Sequence, residues 1–301
     1  QLLSHSDQSV VWQQTRADAP DRRGWGGRLA DMFYASNTNQ QLSMNISIDG
    51  ENVFQAGDEV IPYFVGQGGA EGIWYVEPWQ ADRRAAFIAL RDAAHGNALQ
   101  RQFASVVRRS MNNQVMVNGA LEGETPLTTT FPDTHLGRQL QMVARLIHVR
   151  NPLQMQRQIF FVGLGGFDTH DNQLADQAEQ LTELDGALAA FYAATSEMGV
   201  ANGVTTFTAS EFGRTTSING DGTDHGWGSH HLILGGAVNG RRIYGRPPDL
   251  SVGGPDDADW GQIIPTTSVD QYAATIARWY GVSPGDMSTV FPNIGRFATP
   301  D

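Results

Sequence analysis

The chain has 301 residues, 40% of them hydrophobic and 17% charged, with a net charge of −12. That composition suits a packed globule and argues against disorder, and the acidic balance argues against nucleic acid as the natural partner, because phosphates need a basic footprint. All 20 basic residues are arginines and there is no cysteine, which excludes Schiff-base chemistry, a Walker-type lysine, disulfides, thiolate ligands and a thiol nucleophile.

No apolar run approaches the ~18 residues that a membrane span needs. The opening QLLSHSDQ reads as the middle of a domain rather than a start, so an upstream segment is expected. Residues 1–24 are polar and irregular. Within them Ser4-His5-Ser6-Asp7-Gln8 reads as a helix cap leading into Val10, Val11 and Trp12. His5 is read either as a surface capping residue or as the rim of a site. Residues 24–33 form a short helix that buries Trp25, Leu29 and Phe33 at helical spacing.

Residues 41–66 alternate: Leu42, Met44, Ile46 and Ile48 share a period-two face. The dipeptide Asp49-Gly50 that follows is a hairpin signal. A glycine-rich loop covers 66–72. Residues 85–116 read as helices broken near Gly96, and 117–134 as loop. Thr134 then caps a helix in which Leu136, Leu140, Val143 and Ile147 recur. His135 and His148 sit at its ends as capping or surface residues.

The apolar run IFFVGL at 159–164 predicts a strand buried on both faces. Residues 172–198 predict a long amphipathic helix with Leu174, Leu181, Leu184, Leu188 and Phe191 on one face. Residues 204–208 and 232–234 predict two more strands. Residues 269–280 predict a helix with Tyr272, Ile276 and Trp279 inward, closed by Gly281. The alternation implies an α/β fold with a largely parallel sheet and a small β-hairpin element. In such sheets ligands sit beyond the carboxyl ends of the strands.

Two polar clusters follow strands and a third precedes the last strand by a glycine-rich loop, so all three can converge on one edge of the sheet. Asp168 and His170, two apart in extended chain after a strand, can face one ion; an Asx-turn opening the next helix is the alternative. Asp224-His225, in a glycine-bracketed loop, reads as ligation or as a surface turn. Of the pair that follows, strand alternation lets only one point inward, and parity with Gly226 and Gly228 selects His230 over His231. Glu211 and Arg214, in SEFGRT, are the candidate catalytic pair. Glutamate can ligate, act as a general base or pair with Arg214, and Arg214 can clamp an oxyanion bidentately. A serine triad at Ser210 has only weak support, because no Gly-x-Ser-x-Gly elbow surrounds it. Arg241 and Arg242 read as solvated surface charges. The donor set Asp168, His170, Asp224, His225 and His230 suits a divalent ion, zinc, manganese, magnesium or calcium.

The segments GLGGFDTHDNQ (163–173), TASEFGRT (208–215), GTDHGWGSHHLILGGAVNG (222–240) and IYG (243–245), with SHSDQ (4–8) and ISIDGENVF (46–54), resemble signature segments of the bacterial family known as domain of unknown function 1501. That family is grouped with the alkaline phosphatase and sulfatase superfamily. The resemblance implies a three-layer α/β/α sandwich, alkaline-phosphatase-like, with a metal centre at the sheet edge. It implies a single domain over residues 1–301 that lacks its N-terminal first strand, which a separate polypeptide or a longer chain would supply. Asp168 and His170 look like the superfamily's first ligand pair. Ser210-Glu211 stands where an Asp-His pair would be expected, and no residue here corresponds to the nucleophile. What this implies for function is a metal-dependent hydrolase of phosphate or sulfate esters, exported by a twin-arginine signal to the periplasm or beyond. The expected substrate is a small anionic ester or a sulfated or phosphorylated glycan. The alternative is a non-catalytic binding or cell-surface protein that keeps the fold.

Overall fold

The computed structural model describes residues 3–18 and 21–298. Its first helix, α1 (His5–Gln14), starts at the cap read from the sequence: the Ser4 hydroxyl accepts from the Asp7 amide at 3.4 Å. Helix α2 (Trp25–Phe33) follows and buries Trp25 and Leu29. Strand β1 (Asn45–Ser47) is then joined through a long connection to β2 (Tyr63–Phe64). Next come α3 (Ala81–Asp92), α4 (Ala98–Glu122), α5 (His135–His148), β3 (Ile159–Phe161) and α6 (Gln173–Glu197). The rest is β4 (Thr205–Phe207), β5 (Arg214–Ile218), β6 (Thr223–His225), β7 (Ile233–Gly235), α7 (Val269–Tyr280) and the short α8 (Met287–Val290).

The fold is mixed α/β. One sheet is parallel, in the order β2-β1-β3, with Ile46 opposite both Tyr63 and Phe160. Two antiparallel pairs accompany it, β4 with β7 and β5 with β6. The described strands form no closed barrel.

Several expectations are corrected. Asp49-Gly50 does turn, with Gly50 at φ +72°, yet no hairpin forms. β1 is buried along its whole length, so it must be paired on both edges and covered on both faces, and it takes parallel partners from distant segments. Turn chemistry permits a hairpin, but burial decides against it. The strand at 159–164 regularises only over Ile159–Phe161 and is half-buried. β7 pairs antiparallel with β4 in a two-stranded sheet of its own, so these strands do not extend the parallel sheet. On α6 the expected apolar face holds only in the C-terminal half: Leu184, Leu188 and Phe191 join the core, while Leu174 is 89% exposed and Leu181 is also exposed. Trp279 of α7 is likewise exposed. The hairpin β5–β6, built from polar residues around Asn219 and Gly220, carries no apolar periodicity and was not legible.

Two cores flank β1. One joins β1 to α4, α5 and α6 through residues such as Ile46, Val117, Leu146 and Ala187. The other joins α2 to α7 and α8 through Trp25, Phe54, Ala277 and Phe291. Buried amides tie the layers together. The Gln55 side chain donates to the carbonyls of Ile46 (3.1 Å) and Ile159 (2.9 Å). Gln139 of α5 donates to the Gly163 carbonyl at 2.8 Å and accepts from its amide at 3.0 Å, which anchors the loop leaving β3. Unpaired, such groups would each cost ~1–3 kcal/mol.

Truncating a fully buried sheet residue therefore costs far more than truncating the exposed helix leucine. Ile46→Ala should lose about 2–5 kcal/mol and Leu174→Ala less than about 0.5 kcal/mol, read by urea unfolding of the two purified variants. Equal losses would contradict the burial assigned to α6.

Candidate metal centre

Four separate segments bring their polar residues to one place. The loop after β3 carries Asp168 and His170. The loop after β4 carries Ser210, Glu211 and Phe212. The β5–β6 hairpin supplies Arg214, which stands opposite His225 in the ladder, and Asp224 beside it. The first turn of α1 supplies His5. The hairpin can lie this close because Gly222 has no side chain: a Cβ there would sit about 2.1 Å from the His170 carbonyl oxygen. Backbone bonds then seal the contact, from the Thr223 amide to the Thr169 carbonyl (3.2 Å) and from the Gln173 amide to the Asp221 carbonyl (3.1 Å).

Asp168 is the centre. Its Oδ1 lies 3.1 Å from Nε2 of both His170 and His225, and its Oδ2 lies 3.1 Å from Nε2 of His5. Arg214 also reaches Oδ1, while its other guanidinium nitrogens donate to the hydroxyl and carbonyl of Thr223. The two ring nitrogens of His170 and His225 face each other at 3.1 Å. Each histidine is held at the opposite nitrogen by an acceptor. His5 Nδ1 is 2.7 Å from Glu211 Oε1, His170 Nδ1 is 3.2 Å from Asp224 Oδ1, and His225 Nδ1 is 2.9 Å from the Leu3 carbonyl. An acceptor at Nδ1 places the proton there and leaves the Nε2 lone pair directed inward. Phe212 covers one side, with its ring 4.8 Å from His5 and 4.4 Å from His225.

The electrostatics follow the geometry. The hydrogen bond to Glu211, helped by Asp168 and opposed by burial, holds His5 above its ordinary 6.5. Burial alone would raise the Asp168 carboxyl, but Arg214, His170 and His225 together bring it below the usual range. Glu211 is also lowered: its hydrogen bonds to His5 and Ser210 outweigh its burial.

Asp168, His170, Glu211, Arg214, Asp224 and His225 are thus brought together, while His230 is not. It is exposed and has no part in the contacts of the cluster. The alternation argument does not reach it, because residues 226–232 are not strand and β7 begins only at Ile233. Its neighbour His231 turns the other way, packing between Trp12 and Tyr272 with ring centroids 6.2 and 5.7 Å away. Arg214 does not pair with Glu211; each of its three guanidinium nitrogens donates to Asp168 or Thr223. Ser210 donates to Glu211 at 3.1 Å rather than meeting a histidine, so no triad forms around it. His135 and His148 stand at the ends of α5. Sequence reasoning left His5 open between cap and rim, and the capping motif around it carries no sign of the contact with Asp168. It missed Phe212 and Asn219, whose amide donates to Asp224 at 2.8 Å.

Burial, with the charge of His230 adding to it, pushes His231 down to about 4. An unfolded chain protonates this residue below 6.5 and the folded one only near 4, so its contribution is complete above 6.5 and is lost as pH falls toward 4. The loss is at most ~3 kcal/mol. His231→Phe keeps an aromatic ring beside Trp12 and does not titrate. Its melting temperature should fall less than that of the parent between pH 7.5 and 5. Parallel curves for the two proteins would show that His231 is not the group responsible.

Neither a curated protein nor a solved structure matches the chain. The model of one family, described as "Protein of unknown function (DUF1501)", matches residues 10–284, and the chain belongs to that family.

Proposed function

We propose that the cluster around Asp168 holds a divalent cation and that the chain is a metal-dependent hydrolase of phosphate or sulfate esters. One observation carries the proposal: three imidazoles, each anchored at Nδ1, direct their Nε2 atoms at one carboxylate. Ligating donors of His5, Asp168 and His225 lie within 4.8 Å of one another. In a tetrahedral zinc shell neighbouring donors stand about 3.3 Å apart, close to the 3.1 Å between His225 and Asp168. The donor set fits a borderline ion such as zinc or manganese better than calcium, which prefers oxygens.

The cluster is open: His5, Asp168, His170 and Asp224 are exposed. Three protein donors with an open side is the arrangement of catalytic rather than structural zinc. A bound cation supplies charge that polarises an ester oxygen and stabilises the developing anion. The chain's own residues do the rest. Glu211 orients His5, the Leu3 carbonyl orients His225, and Asp224 orients His170. Arg214 holds Asp168 in place and keeps it ionised, which is a positioning role rather than the oxyanion clamp expected from sequence. Phe212 packs on one side of the His5 and His225 rings. The site lies beyond the carboxyl ends of β3 and β4, where α/β sheets bind ligands. Placement in the alkaline phosphatase and sulfatase superfamily, with its three-layer sandwich and export from the cytoplasm, is part of the same proposal and rests on the segment resemblance.

Calorimetric titration of zinc and manganese should give a single strong site in the parent chain. His5→Ala, Asp168→Ala and His225→Ala should each weaken it at least ~100-fold, since the remaining donors cannot complete the shell. Glu211→Gln should weaken it about 10–100-fold through His5. His135→Ala, His148→Ala and His230→Ala should bind as the parent does. Normal binding by both Asp168→Ala and His225→Ala would sink the metal site. Metal binding without turnover of p-nitrophenyl phosphate or p-nitrophenyl sulfate would leave a binding protein that keeps the site.

A further inference from the structure

The hairpin of α3 and α4 is almost uncovered. No residue of α3 is buried, and α4 buries mainly Ala104, Met111, Val117 and Leu121. Its outer side carries Leu99, Phe103 and Val106, at spacings that place all three on one stripe. Leu99 is 80% and Phe103 69% exposed. Leu90 of α3 and Trp74 and Trp79 of the lead-in loop are exposed as well, Trp79 at 79%. Scattered apolar residues need no explanation, but an apolar stripe with exposed tryptophans on the same segment marks an interaction surface.

Charge identifies the kind of partner. Residues 73–115 carry six arginines against three carboxylates, Glu77, Asp82 and Asp92, in a chain of net charge −12. The hairpin is a basic, apolar arm on an acidic body. The complementary surface occurs on that same body. Residues 247–264 hold four aspartates and no basic residue, and they expose Leu250, Val252, Trp260 and Ile264, Trp260 at 75%. Both patches are open in the single chain, so they do not cover each other within one copy.

We propose that the α3–α4 arm of one copy docks on the 247–264 loop of a second copy. The two surfaces differ, so the contact is heterologous, head to tail. Leucine and tryptophan side chains on each side supply the apolar centre, and arginine facing aspartate sets the orientation. An anionic lipid surface offers the same charge to the arm, but the net charge of the whole chain opposes its approach. The inference is independent of the metal centre.

The experiment mixes two variants. Phe103→Glu damages the arm and leaves the loop, and Trp260→Arg damages the loop and leaves the arm. Analytical ultracentrifugation should show the parent associating, more weakly in molar salt, and each variant alone associating at least ~10-fold more weakly. Mixed, the two should recover a one-to-one dimer, because the intact arm of one meets the intact loop of the other. Circular dichroism checks that both are folded. If either is not, the exposed charge variants Arg109→Glu and Asp259→Arg replace them in the same mixing design. A parent chain that stays monomeric overturns the proposal, whether or not it sediments with phosphatidylglycerol vesicles. Association that mixing does not restore overturns it as well.

Discussion

Three imidazoles and one guanidinium close on the carboxylate of Asp168, and they come from three segments: the first turn of α1, the loop after β3 and the β5–β6 hairpin. His5 is 163 residues from Asp168 and His225 is 57. One carboxylate answers so many donors only because each is held from behind. Glu211, Asp224, the Leu3 carbonyl and Thr223 take up the outward-facing nitrogens of His5, His170, His225 and Arg214. The inner shell is therefore set by the outer one, and a single displaced acceptor would let a ring rotate away.

The fold delivers these residues through a few buried polar anchors. Gln139 grips both backbone groups of Gly163, so the loop carrying Asp168 leaves β3 at a fixed point. Helix α1 has little apolar surface of its own and is tied down by hydrogen bonds. Gln13 accepts from the amides of Val53 and Phe54 (2.8 and 2.9 Å), and the buried Arg28 donates to the Gln14 carbonyl at 2.6 Å. Trp12 packs near His231 and Tyr272 at the far end of the same helix. The arrangement makes α1 a strap across the site, with His5 at its leading end.

Net charge and local charge pull in different directions. The chain is strongly acidic, yet Asp168 is paired with Arg214, and the α3–α4 arm is basic. The exclusive use of arginine matters at Arg214 in particular: its planar fork reaches Asp168 and Thr223 together, which the single ammonium of lysine would not do.

Helices α2, α5 and α7 were legible from apolar periodicity and cap residues, because those signals are local. So was the placement of Asp168 and Glu211 in the loops after β3 and β4, because connections after strands are where polar clusters collect. The partner of β1, the exposed face of α6 and the direction of His230 were not. Asp49-Gly50 allows a hairpin and a parallel crossover alike, and only burial of Asn45, Ile46 and Ser47 on both faces selects the second. Leu174 has the helical spacing of a core residue but is exposed, and the buried residues of α6 begin only at Ala187. The part played by His5 is beyond any local signal, since a histidine in a capped first turn reads the same whether the helix faces solvent or a carboxylate. The sequence by itself determined the local elements and offered Asp168, His170, Glu211, Arg214, Asp224 and His225 as polar residues at their ends. The tertiary structure decided which of them meet, because that depends on contacts between segments 46 to 222 residues apart.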